Sequence, residues 1–407
     1  MVRGLHITYV IRRNIILITT RRQKKDLNLW EKGMNRIPLA RPFFDGREME
    51  LLAACLESGH VAQGPLVARL ESGIEALLGG VHALAVSSGT AALHLAVRAL
   101  DIGPGDEVIV PAFTWVATAH AVEYAGARAV FADVDPATFN VTVQSVERVL
   151  SPRTRAIIPV HLFGLPAPMR ELVELAQRYG LHVVEDAACA IGAAEGGAKA
   201  GTMGDIGCFS FHPRKNMTTG EGGMLVTGDD TLKTRLAALR NHGAISRGTS
   251  LIESSFEILA LNFRMSDIQA AVGCAQLEKL AFMQEARTRL ALRYGELLRG
   301  TELALPVAPE GAEHVWQAYV VRVQEGGRKR RDAMMRYLAD AGVETRAGTQ
   351  AVHRLAYYAN KYGLRSEDCP GAALCEDTSM ALPLYCGMKE EDQDRVVQEL
   401  LNALKQC

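Results

Sequence analysis

From Ala83 onward, short apolar runs alternate with stretches of helical character. Few architectures accept that order other than an α/β domain built on a largely parallel sheet. The strand candidates are residues 83–86, 107–110, 129–132, 156–160, 182–184, 206–211 and 224–226. Amphipathic stretches at 91–100, 116–125 and 169–179 are long enough to carry the chain from one parallel strand to the next, and 231–241 follows the last strand. A proline-free helical pattern over 266–298 reads as the connector out of the sheet domain. Beyond it, a strand at 316–323 and helices at 330–341 and 391–405 predict a smaller C-terminal α+β domain. The expected division is an extension over 1–33, a large domain over 34–280 and a small domain over 281–407.

Charge narrows the functional classes. The 407 residues carry 45 basic and 46 acidic side chains, but the first 33 sum to +6 and the remainder to −7. An acidic body is a poor partner for nucleic acid, whose binding draws on a basic surface. In the basic head, the apolar stretch at 7–18 is interrupted by Arg12-Arg13 and falls short of the roughly 20 residues that a membrane span needs. It shows no small-residue cleavage site. The head is expected to be a disordered extension, with Met34 opening the first stretch of globular character. Eight cysteines, none in a C-x-x-C pair or a His-Cys cluster at zinc spacing, fit a reducing cytoplasm and no metal site.

Three segments carry candidate chemistry. In Val86-Ser87-Ser88-Gly89-Thr90-Ala91-Ala92-Leu93 a strand gives way to a helix through small and hydroxyl residues. Free N–H groups and the helix dipole make such a turn a phosphate site, although the same residues serve as an ordinary cap. Leu181-His182-Val183-Val184-Glu185-Asp186 is an apolar strand ending in two carboxylates. Alternation sends them to opposite sides, so one can face a metal, a ribose or a protonated ring nitrogen, or merely cap a helix. The third is Phe209-Ser210-Phe211-His212-Pro213-Arg214-Lys215, followed by Thr218-Thr219-Gly220-Glu221-Gly222-Gly223. A lysine at the mouth of a sheet, with an acid and a phosphate turn in the same domain, suits Schiff-base chemistry on a phosphorylated aldehyde. No G-x-G-x-x-G or Walker lysine accompanies them.

With Gln63-Gly64-Pro65, the segments at 111–118 and 159–164, and Asn262-Phe263-Arg264-Met265-Ser266-Asp267, these motifs resemble the DegT/DnrJ/EryC1/StrS family of sugar aminotransferases over residues 37–404. The resemblance implies the type I fold of pyridoxal 5′-phosphate (PLP) enzymes: a large domain with a mostly parallel seven-stranded sheet and a smaller α+β domain. It further implies that Lys215 carries the cofactor as a Schiff base and that Asp186 pairs with its ring nitrogen. The phosphate would be held at Ser88, Gly89, Thr90, Ala91 and Ser210, with Trp115 against the ring and Cys189 beside it. Asn262 or Arg264 would reach the site of a second subunit in a homodimer with shared active sites.

Two positions depart from the family pattern. Cys189 stands where many relatives have His or Gln, and thiols hydrogen-bond weakly. Arg214, just before the lysine, replaces a residue that is commonly smaller or apolar; it is expected to face solvent, the alternative being the phosphates of a nucleotide-sugar. His161 and His353 fall where relatives line the sugar site, but single histidines are as readily structural. The aromatic and basic mixture over 357–362 reads as packing. The expected reaction moves an amino group from glutamate to a nucleotide-linked keto-deoxysugar. The alternatives are the same chemistry on a keto-cyclitol or other non-nucleotide sugar, or a non-catalytic regulator on this fold. Dehydratases of the family replace the lysine with histidine, and Lys215 argues against that reaction here.

Overall fold

A computed structural model describes residues 36–246 and 254–407, together with a two-residue strand pair, Ile11–Arg12 with Ile15–Ile16. Apart from that pair, the basic extension expected over 1–33 lies outside the described residues. The apolar runs form strands β1 (His82–Val86), β2 (Glu107–Pro111), β3 (Arg128–Ala132), β4 (Thr154–Ile157), β5 (His182–Asp186), β6 (Ile206–Ser210) and β7 (Gly223–Thr227). They make one seven-stranded sheet in the order β1-β7-β6-β5-β4-β2-β3. Neighbours from β6 to β3 are parallel, while β7 runs antiparallel between β1 and β6. The reversal has a local cause. Residues 211–222, between β6 and β7, hold no helix, and a parallel return needs a crossover.

Helices cover the sheet: α1 (Arg47–Ser58), α2 (Pro65–Leu78), α3 (Gly89–Ala99), α4 (Ala117–Tyr124), α5 (Met169–Tyr179) and α6 (Asp230–Arg240). Their apolar faces and the strands bury two clusters, one centred on Leu95, Ile109 and Ile157 and the other on Leu70, Ile74 and Phe209. The helical pattern over 266–298 is two helices, α7 (Asp267–Glu278) and α8 (Leu280–Leu297). They part at Lys279, where φ is −118° and ψ 12° and the ammonium lies 2.6 Å from both Asp45 and Glu48. No proline or glycine announces that break.

A second, antiparallel sheet comprises β8 (Leu303–Ala304), β9 (Tyr319–Val323), β10 (Arg346–Ala347) and β11 (Ser379–Leu382), in the order β8-β9-β11-β10. Helices α9 (Gly327–Asp340) and α10 (Glu390–Gln406) pack with it over Tyr294, Met334, Leu338, Val396 and Leu400. Strand β9 begins three residues later than its apolar run, because Trp316 sits at φ 48° and breaks the extended path. Ile37 also joins this cluster and bridges Val343, so the chain just before the large sheet packs with the small domain. Between the sheets, Gln350–Ala351 pairs with Phe113–Thr114 and brings the segment around Arg346 over the C-terminal end of β2. No helix among the described residues is long and apolar enough to cross a membrane.

Candidate active site

Adjacent residues at the end of β5 divide two tasks. Glu185 is fully buried on one side, where its carboxylate accepts from the backbone N–H groups of Gly201 (2.7 Å), Met203 (2.5 Å) and Gly204 (2.6 Å) and from His161 Nε2 (2.9 Å). Asp186 turns to the other side and lines a cavity of about 370 Å³ between the two sheets. Its Oδ2 accepts from the Thr118 hydroxyl at 2.7 Å and its Oδ1 from the Ala188 N–H at 3.2 Å. Burial pushes the Asp186 carboxyl above its ordinary value, opposed by Thr118 and by the charge of Lys215. A cationic partner is what such a carboxylate lacks.

Small residues shape the cavity floor. A Cβ on Gly89 would come within 2.7 Å of Ser210 Cβ, and one on Gly223 within 2.5 Å of the Ser88 carbonyl oxygen. Glycine at both positions lets the end of β6, the start of β7 and the first turn of α3 converge. Ser88 caps α3 by accepting from the Ala91 N–H at 3.1 Å. The first-turn N–H groups of Gly89 and Thr90 have no acceptor within the helix, and Ser88, Gly89, Thr90 and Ser210 all line the cavity. Ala91, buried, contributes the capped N–H rather than a wall.

Lys215 lines the same cavity, and its Nζ donates to Cys189 Sγ at 3.0 Å. The loop that carries it is tied at both ends. Phe211 accepts from the Thr218 hydroxyl (2.9 Å) and the Thr219 N–H (3.0 Å), while Asn216 donates to the Val315 carbonyl (3.0 Å) and Gln317 to the Arg214 carbonyl (2.7 Å). Trp115 stands half exposed at the opening, beneath the Arg346 guanidinium at 5.3 Å.

Two of the residues expected at the site, His161 and His353, lie elsewhere, and Asn262 and Arg264, expected at a second subunit's site, lie outside their own chain's cavity. His161 is fully buried behind the sheet, with Nδ1 accepting from the Ala167 N–H at 3.0 Å and Nε2 donating to Glu185. His353 is fully buried and away from the cavity, and burial pushes its imidazole below the usual range. Asn262 and Arg264 sit at a separate cleft region: Asn262 Oδ1 accepts from the Arg264 N–H at 3.1 Å, and the Arg264 guanidinium bonds Asn241. Arg264 shares that cleft with Gln63, Gly64 and Glu71. Conversely, the cavity includes Thr114 and His212, which stand inside quoted motifs without an assigned role, together with Gln317, Arg346 and Thr349. Thr118 stood inside a quoted motif, with no sign that it would hold Asp186.

The chain matches the DegT/DnrJ/EryC1/StrS aminotransferase family over residues 43–401. It belongs to that family. It is 39% identical over 368 residues to the GDP-perosamine synthase of Caulobacter vibrioides, covering 90% of this chain and 97% of that one. It is 41% identical over 337 residues to the UDP-N-acetyl-3-dehydro-alpha-D-glucosamine 3-aminotransferase of Acidithiobacillus ferrooxidans, covering 82% and 88%. Among solved structures it superposes on the PLP form of Spr1654 from Streptococcus pneumoniae with a TM-score of 0.86 at 26% identity, covering 91% and 99%. The DegT/DnrJ/EryC1/StrS motifs read from the sequence thus identify the family correctly, and the protein is an aminotransferase with the fold they imply. In this aminotransferase the buried acid, the lysine and the helix start face one cavity.

Proposed function

We propose that this aminotransferase moves an amino group from an amino acid, glutamate, to the keto carbon of a nucleotide-linked sugar, with PLP held by Lys215. The juxtaposition of Asp186, Lys215 and the α3 turn in one cavity carries the reading. The donor set suits PLP: a buried carboxylate short of a cationic partner for the ring nitrogen, an amine for the aldehyde, and N–H and hydroxyl groups at a helix start for the phosphate. When bound, PLP supplies an electron sink for the bonding pair released from the donor carbon. Thr118 holds Asp186 in place, and Asp186 keeps the ring nitrogen protonated. Trp115, on the cavity wall, would stack against the ring. Lys215 would hold the aldehyde of PLP and, as a free amine, would move the proton from the donor carbon as a general base. Cys189 Sγ accepts from Lys215 Nζ at 3.0 Å and would position that amine. Both curated relatives are named for nucleotide-linked sugars, which favours that acceptor over a cyclitol.

A second copy of the chain would supply Asn262 or Arg264 to the cavity, since neither reaches its own. The test is chemical. Purified protein treated with borohydride should yield a covalent cofactor adduct on Lys215 by peptide mass analysis, and glutamate with a nucleotide-linked keto sugar should yield 2-oxoglutarate and the amino sugar. Lys215→Ala should abolish the adduct and lower turnover by about a hundredfold to ten-thousandfold, the range of a general base. Wild-type protein that takes up no PLP would sink the reading.

A further inference from the structure

Two arginines line the cavity without a carboxylate partner among the described residues, whereas Arg293, Arg328, Arg330 and Arg354 all sit in ion pairs. Arg346 is half-buried with its guanidinium over Trp115 at 5.3 Å. Burial, and then the positive charge of Arg214, push it below the usual guanidinium range. His212 lines the same wall; burial pushes its imidazole down, the charge of Glu221 opposes this, and Arg214, Lys215 and Arg346 add to it. The acids that line the cavity are Asp186 and Glu221, and neither pairs with an arginine. Arg346 is partly desolvated and Arg214 is exposed at the cavity mouth, neither with an anion against it, and an anionic ligand relieves the pair.

Which anion follows from the reaction, so this step rests on the function proposed above. Transamination sends two unlike molecules through one cavity in turn, and each must present its reacting carbon to Lys215. A glutamate and a nucleotide-linked sugar share little except an anion a few bonds from that carbon: a carboxylate in one, a diphosphate in the other. The planar guanidinium fork accepts either oxyanion with paired N–H donors. We propose that Arg214 and Arg346 form one anion clamp used in both half-reactions, gripping the carboxylate of the amino donor and then the diphosphate of the acceptor. Arg346 comes from β10 of the second sheet and Arg214 from the lysine loop of the first, so the clamp also spans the two walls of the cavity.

The experiment uses the PLP-loaded enzyme and calorimetric titration with glutarate, which mimics the donor without its amine, and with UDP and GDP. On the wild type, glutarate and a nucleoside diphosphate should exclude one another. Arg346→Met and Arg214→Met should each weaken both ligands by about tenfold or more, the scale of a lost charge-assisted hydrogen bond. Arg346→Lys, which keeps the charge and loses the fork, should weaken both by less. In steady-state turnover the Met variants should raise the KM for glutamate and for keto sugar together. The clamp is overturned if a variant weakens one ligand class alone, if both ligands bind at once, or if the wild type binds neither. Borohydride trapping on Lys215 in the same variants reports whether they fold and load cofactor. An intact adduct with unaltered binding defeats the clamp and leaves the aminotransferase reading standing.

Discussion

Asp186 shows how one residue trades stability for function. Burial raises its carboxyl above the ordinary value, so the folded chain holds this proton more tightly than the unfolded chain does. The stability that this lends is present at low pH and is lost as pH rises from the ordinary carboxylate value through the folded one. Asp186→Asn removes the ionisation while its amide oxygen can still accept from Thr118. Cofactor-free Asp186→Asn should therefore melt higher than cofactor-free wild type at neutral pH, with the gap closing as pH falls toward 4, roughly the carboxylate range. With PLP added the order should reverse, because an amide does not hold the ring nitrogen protonated. A melting gap that stays constant with pH would show that burial of the charge is not the cause. Lys215 and Asp186 were legible because each closes a contiguous motif at a strand end. Thr118, 68 positions before the acid that it holds, and Arg346, alone in its segment, were not. Their roles exist only once Phe113–Thr114 and Gln350–Ala351 pair.

Among the elements, the strands were the most readable, since a buried parallel sheet demands unbroken apolar runs whatever surrounds it. Helices α1 and α2 were missed for a stated reason. Both begin at a glycine, Gly46 and Gly64, rather than at a side-chain cap, and Gly64 N–H bonds Asp267, 203 residues away. The break between α7 and α8 was hidden likewise, because the partners that hold Lys279 lie near α1. The contact between β7 and the start of α3 is an element-scale device that can be tested. A methyl group at Gly223 would sit 2.5 Å from the Ser88 carbonyl and 2.7 Å from the Gly89 nitrogen, both backbone atoms that cannot swing aside. Gly223→Ala should cost about 1–3 kcal/mol, as overpacking does. By moving the turn off Ser210 it should also weaken PLP binding more than Gly228→Ala, where a Cβ meets nothing within 4 Å. Equal PLP affinity in the two variants would mean that the convergence of β7 and α3 does not shape the phosphate turn.

For the whole molecule, the net charge of −1 conceals a +6 head and a −7 body, so anionic ligands must be held against the overall field by local groups. The α3 turn and the two cavity arginines are the groups proposed for that task. Arg264 is another, but it lines a cleft beside Gln63 and Gly64 rather than its own cavity. Around that region Leu259 is 90% exposed and Leu261 63%, apolar surface that a second copy would cover. A two-fold contact would make each cavity a composite, with Lys215 from one chain and Arg264 from its partner. Two separately inactive variants can test this. In a mixed dimer of Lys215→Ala and Arg264→Ala chains, one cavity combines an intact lysine with an intact partner arginine, and the other combines both defects. Reassorting equal amounts should then restore roughly a quarter of wild-type activity, since half of the dimers are mixed and each holds one good site of two. If each arginine served its own chain, every cavity in the mixture would keep one defect and no activity would return. Size-exclusion chromatography of the mixture, with mass analysis to confirm exchange of subunits, separates that result from a failure to reassort.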